Sequence, residues 1–108
     1  MTFTELDHLI NESGRRSLAS RLLYSLLDAL DAGIEDVSLD DFEKETGFAR
    51  TNIRTVASFL SEARVIVILF SEALDSSGKL NLYSEAKRGR WVKHHYRLAD
   101  SVRELFRR

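Results

Sequence analysis

The 108-residue chain has no cysteine, no proline and only five glycines. Without thiols there is no disulfide framework, no thiolate zinc site, no iron–sulfur ligation and no thiol nucleophile. No apolar run approaches the roughly 18 to 20 residues that span a bilayer, so no membrane association is expected. The opening stretch MTFTELDHLI is acidic, and its apolar part is too short for a secretory signal. Glycine-rich phosphate loops are missing, and no Ser or His stands in a nucleophile motif, so no catalytic residue is assigned and an enzyme is not expected. What remains is a single soluble intracellular domain over residues 1–108, large enough to bury a modest core.

The charge that is present is unevenly spread. Net charge is −1, yet residues 1–49 hold eleven Asp/Glu against four Lys/Arg, and residues 79–108 hold nine Lys/Arg against three Asp/Glu. A near-neutral total therefore hides a basic end on which a polyanion can bind, although a solvated basic surface gives the same count.

Apolar spacing and the few glycines divide the chain. Thr4 is the expected cap of a short helix to about Asn11, carrying Leu6, Leu9 and Ile10 and broken at Gly14. A second helix starts near Arg16 or Ser17. Leu18, Leu22, Leu23, Leu26, Leu27 and Leu30 form its buried stripe, Tyr24 its margin and Gly33 its stop. Ser38 caps a third, with the acids behind it suited to the positive end of a helix dipole. The cluster Asp40, Asp41, Glu43 and Glu45 is ascribed to that dipole and to solubility rather than to paired-carboxylate chemistry. After Thr46-Gly47 a fourth helix buries Ile53, Val56, Ala57, Phe59, Leu60 and Ala63.

Beyond Arg64 the pattern becomes β. Val65 to Phe70 is a β-branched, apolar run; Asp75-Ser76-Ser77-Gly78 is a turn; Leu80, Leu82 and Ser84 alternate with Asn81 and Tyr83. Lys87-Arg88-Gly89-Arg90 is a second turn, leading into a strand from Trp91 to Leu98. Asp100 or Ser101 then caps a last helix bearing Val102, Leu105 and Phe106. The expected architecture is α+β: a helical core with a two- or three-stranded antiparallel sheet or wing over about 65–98, and terminal helices at about 3–12 and 101–107.

Leu39 to Ala63, a short helix, a tight glycine turn and a longer helix, has helix-turn-helix spacing. Phe48 and Ile53 would wedge the two helices at a steep angle. The second helix would then present Arg50, Thr51, Asn52, Arg54, Thr55 and Ser58, the face that enters a major groove. Arg50 and Arg54 suit guanine edges or phosphates and Asn52 suits adenine, while Thr51, Thr55 and Ser58 are small enough to let the helix sink. Lys87, Arg88 and Arg90 around Gly89 form a basic ribbon tip suited to a minor groove or its phosphates. An ordinary solvated turn, charged to discourage edge pairing, is the plain alternative. Trp91 and Tyr96 are candidates for base stacking, with Trp91 assigned to the core. His94 and His95, neighbours on a strand, point to opposite faces and do not chelate one ion, so they read as surface residues or phosphate contacts.

The stretch from Thr46-Gly47-Phe48-Ala49-Arg50-Thr51-Asn52-Ile53 through Phe59-Leu60-Ser61-Glu62-Ala63-Arg64-Val65 resembles the recognition region of winged-helix repressors. Arg88-Gly89-Arg90-Trp91-Val92 followed by Tyr96-Arg97-Leu98-Ala99-Asp100 resembles the wing and exit of their ArsR-like branch, and Arg21 to Leu27 resembles its first core helix. The resemblance covers about residues 16–106 and implies a homodimer, paired through its terminal helices, that binds a partly palindromic operator of double-stranded DNA and represses transcription. That places the protein in the cytoplasm, on the nucleoid. It departs from the pattern at Ala49, where a capping Ser is usual, and at Arg64, which replaces a helix-closing Gly. About sixteen extra residues, around Val67 to Leu82, suggest an added strand or a lengthened hairpin. The cysteine clusters and terminal-helix ligand sets of metal-sensing members are not matched, so no metal, cofactor or small-molecule effector is expected. Two other readings remain at this stage: a protein-interaction module of a larger assembly, and an architectural DNA binder with little sequence preference.

Overall fold

A computed structural model describes residues 1–71, 82–83 and 92–106. Among them lie five helices: α1 (Phe3–Glu12), α2 (Arg16–Asp31), α3 (Leu39–Thr46), α4 (Arg50–Glu62) and α5 (Asp100–Phe106). Four strands, β1 (Val37–Ser38), β2 (Ile66–Ser71), β3 (Leu82–Tyr83) and β4 (Lys93–Leu98), form one antiparallel sheet in the order β1-β4-β2-β3. The α+β expectation holds, and β1 is an addition to it. Two residues with no apolar alternation give no strand signal, and β1 exists because β4 offers its free edge to Val37 and Ser38. Leu82–Tyr83 pairs with the end of β2, so part of the extra length between α4 and the basic turn becomes a strand.

The helix α2 is the hub. Its stripe of Leu18, Ala19, Leu22, Leu23, Leu26 and Leu27 is buried, and it packs against α1, α4, β1 and β4. The sheet closes the core from one side by simple alternation: Ile66 pairs with Leu98 and Ile68 with Tyr96 on the helix-facing side. On the opposite side Val67 pairs with Arg97 and Leu69 with His95.

Local chemistry sets the element ends. Thr2, not Thr4, caps α1: its hydroxyl accepts the Glu5 N–H at 3.1 Å, so the helix begins at Phe3. Thr4 lies two residues too far in, where the backbone is already helical. Ser38 ends β1 and caps α3 at once, accepting the Asp41 N–H at 3.1 Å. Asp100 is not a cap but the first residue of α5, since the carbonyl of Ala99 accepts from Val102 and Arg103. In the terminal helices Leu6, Ile10 and Val102 face the core, and Leu9, Leu105 and Phe106 pack against it. The large side chain left outside is Phe3, 57% exposed, its ring set edge-on to Phe106 at 5.2 Å.

Candidate nucleic-acid interface

The turn between α3 and α4 is built by three consecutive residues, Thr46, Gly47 and Phe48. Gly47 sits at φ +77°, a left-handed conformation that a Cβ disfavours, and its N–H closes α3 on the Glu43 carbonyl at 2.8 Å. The Thr46 hydroxyl donates to the Phe42 carbonyl at 2.6 Å. Phe48 then stacks on Phe42, ring centroids 6.2 Å apart. Ile53 and Phe42 are both fully buried, which fixes α4 against α3. Burial of two such side chains contributes on the order of 2–3 kcal/mol each.

Inward, α4 places Ile53, Val56, Ala57 and Leu60. Outward it leaves Thr51, Arg54, Thr55 and Ser58 exposed, with Asn52 half-buried. These positions recur at helical spacing and form one polar stripe of mostly short side chains. The Thr55 hydroxyl donates back to the Thr51 carbonyl at 2.9 Å. Arg54 makes no ion pair or hydrogen bond among the described residues. Ala49 supplies no capping side chain, so the first turn of α4 lacks a side-chain acceptor.

Arg50 is placed differently from the rest of that stripe. Its guanidinium donates to Asp40 at 2.7 Å and to Glu43 at 3.2 Å, and the second oxygen of Asp40 accepts the Lys93 ammonium at 2.8 Å. Asp40 thus joins α3, α4 and β4. Hydrogen bonds from Lys93 and Arg50 hold its carboxyl below the usual carboxylate range, and the same contact raises Arg50. The acidic character of α3 therefore has a cause besides its dipole. The sequence hides it, because Lys93 is 53 positions away from Asp40.

The cations of α4 also act on β4. Burial lowers the pKa of His94, and the charges of Arg54 and Arg50 lower it further. The His94 ring stands edge-on to Phe70 at 4.9 Å. The start of α4 and the start of β4 therefore share one end of the molecule. Lys87, Arg88 and Arg90 lie outside the described residues, as do the turn at Asp75–Gly78 and Trp91. In the sequence, that basic run ends three residues before Lys93.

Two expectations are corrected. Tyr96 does not stack on bases: it is fully buried, its hydroxyl has no hydrogen-bond partner among the described residues, and burial pushes its pKa up to about 12. His95 is not a surface residue; it is 7% exposed and lies between two partners. Its Nε2 meets Ser71 Oγ at 2.9 Å and its Nδ1 meets Asp36 at 3.2 Å. A carboxylate only accepts, so in the tautomer that satisfies both contacts Nδ1–H donates to Asp36 and Nε2 accepts from the Ser71 hydroxyl. Hydrolases use these three residue types in this order for nucleophilic attack. Here Ser71 has no exposed surface and offers no face to a substrate carbonyl. The relay instead ties β4 to the end of β2 and to the residue before β1. Its members lie at positions 36, 71 and 95, and only strand pairing brings them together.

Compared with known proteins, the chain matches no family model, no curated protein and no solved structure. Among the described residues no helix is long and apolar enough to cross a membrane, and no three His, Asp or Glu side chains are grouped to hold a metal ion.

Proposed function

We propose that the chain is a winged helix-turn-helix protein that binds double-stranded DNA as a homodimer and regulates transcription, most simply by repression, in the cytoplasm on the nucleoid. In this reading α4 enters the major groove through Thr51, Asn52, Arg54, Thr55 and Ser58. The run Lys87, Arg88 and Arg90 contacts the adjacent minor groove or its phosphates. The observation that carries the reading is topological. The chain order α2, β1, α3, glycine turn, α4, β2, β4 goes with the sheet order β1-β4-β2, and α4 turns a polar stripe outward beside the start of β4. Such an arrangement leaves the second helix of the pair free to lie in a groove, and Ser71 at the end of β2 pairs with Lys93 at the start of β4, on either side of the basic run in the sequence. Dimerisation is assigned to α1 and α5, whose Phe3 ring lies open to a partner copy.

A second reading, a protein-interaction module, has its own observation. A cleft of about 790 Å³ runs between α2 and α3, lined by Arg21, Tyr24, Ile34, Asp41 and Glu45 among others. Tyr24 and Ile34 are 59% and 55% exposed there, beside charged side chains of the same lining.

Titration of labelled random duplex across salt concentration separates the two. The DNA reading expects a steep inverse dependence, and Arg88→Ala with Arg90→Ala should reduce its log–log slope by about 2. An unchanged slope removes the basic run from the interface. Binding that never sharpens on selected sequences indicates an architectural role. No binding at low salt overturns the DNA reading and turns attention to the cleft.

A further inference from the structure

The cluster of Asp40, Glu43, Arg50 and Lys93 contains two cations and two anions, all on side chains 38–59% exposed. A phosphate approaching the start of α4 therefore meets a locally neutral patch, although two of the nearby basic residues are within its reach. Arg54, one turn further along α4, has no such partner among the described residues. Carboxylate and phosphate oxygens compete for the same guanidinium and ammonium donors, and a displaced carboxylate remains close enough to repel the phosphate that replaced it.

From this geometry we propose that Asp40 and Glu43 are specificity-determining residues: they occupy Arg50 and Lys93 and so suppress binding to phosphate alone, leaving tight binding to duplexes that also satisfy the polar stripe of α4. The proposal rests on the DNA reading above and adds a role for the acids that precede the recognition helix. The pairs are surface pairs, weak enough for DNA to displace. The penalty falls on the phosphate-only mode, which needs Arg50 and Lys93 as donors; a duplex held by base contacts along α4 leaves those pairs in place. Low affinity for random sequence is thereby built into α3, the element just before the reading helix. A fully basic surface would instead raise affinity for every sequence in proportion to its phosphate contacts.

Asp41 provides the internal control. It neighbours Asp40, is exposed, and its side chain makes no ion pair among the described residues, so Asp41→Asn changes net charge by the same amount without freeing a cation. The test compares the full chain with its Asp40→Asn, Asp41→Asn, Glu43→Gln and Asp40→Asn/Glu43→Gln variants. Binding is measured to a random duplex and to the tightest duplex selected with the unmodified chain, over a salt series, with thermal melting to verify folding.

The expected result is random-duplex affinity higher by about three- to tenfold in the double variant. Its salt slope should steepen by roughly 1, and its preference for the selected duplex should fall. Asp41→Asn should stay within about twofold of the unmodified chain. Glu43→Gln, which among the described residues loses an ion pair with Arg50 alone, carries the test if the Asp40 variants melt early. Equal behaviour of the Asp40→Asn and Asp41→Asn variants overturns the proposal while leaving the DNA reading intact. Weaker random-duplex binding by Glu43→Gln or the double variant does the same, since the acids would then be orienting Arg50 toward DNA. Failure of the unmodified chain to bind either duplex overturns the DNA reading, and this inference with it.

Discussion

The Ser71 hydroxyl lies 2.9 Å from His95 Nε2 across the β2–β4 pair, buried and 24 positions apart in the chain. With Asp36 on Nδ1, that contact completes a chain of polar groups holding β1, β4 and β2 in register. Removing the hydroxyl leaves a buried ring nitrogen without a partner. Ser71→Ala should therefore cost about 1–3 kcal/mol in denaturant unfolding. In a cycle with His95→Leu the two losses should fall short of additive by more than about 0.5 kcal/mol. Additive losses would mean that the two side chains act independently.

Arg64 closes α4 in a conformation that normally belongs to glycine. Its φ is +62°, with its N–H on the Ser61 carbonyl at 3.0 Å and the Val65 N–H on the Leu60 carbonyl at 2.8 Å. Those two bonds define a Schellman ending. An L-residue held there costs about 1–2 kcal/mol, part of which glycine returns as unfolded-state entropy. Arg64→Gly should raise stability by about 1 kcal/mol and the melting temperature by several degrees. The side chain is exposed, so little contact is lost. A drop in melting temperature would show that Arg64 makes a stabilising interaction larger than its strain.

The Tyr96 hydroxyl is a buried polar group without a partner among the described residues. Tyr96→Phe keeps the ring in the core and removes the desolvated oxygen, so stability should be unchanged or higher by up to about 1 kcal/mol. A loss above that size, read in urea unfolding, would reveal a hydrogen bond to this oxygen.

His94 gives a pH dependence whose sign is set by its environment. Burial and the neighbouring Arg54 and Arg50 lower its pKa in the folded chain below the ordinary 6.5. The unfolded chain therefore binds the proton more readily, and stability from this group, complete above 6.5, is lost as pH falls from there toward the folded value. Replacing His94 with Phe should flatten the melting-temperature profile below about pH 6.5. A profile of unchanged slope would assign the titration to another group.

Arg54 and Arg50, four residues apart on α4, should differ as DNA contacts. Arg54→Ala should weaken the selected duplex by about 1–3 kcal/mol, and more than it weakens random duplex. Equal loss on both would make Arg54 a phosphate contact only. Arg50→Ala should have the smaller effect on selectivity, because its guanidinium is already held by Asp40 and Glu43. Its cost should appear in stability.

The helices were legible in the sequence because their causes are local. Leucine spacing along α2, Ser38 before Asp40 and Asp41, and Gly47 after Thr46 act within one or two turns, and the folded chain uses them as expected. The polar stripe of α4 was legible for the same reason, being what its buried face leaves over. Three features needed the folded chain. The pairing of β1 with β4 required an unpaired edge; the Asp36–His95–Ser71 relay required strand register; and the Asp40–Arg50–Lys93 contact required the α3–α4 angle to be set against the sheet. Each joins groups tens of residues apart, by contacts that exist only once the core has closed. Periodicity and capping can be read along the chain because they obey the repeat of a single element. Which charges meet depends on how several elements pack, and here that packing decides that Arg50 is already partnered while Arg54, among the described residues, is not.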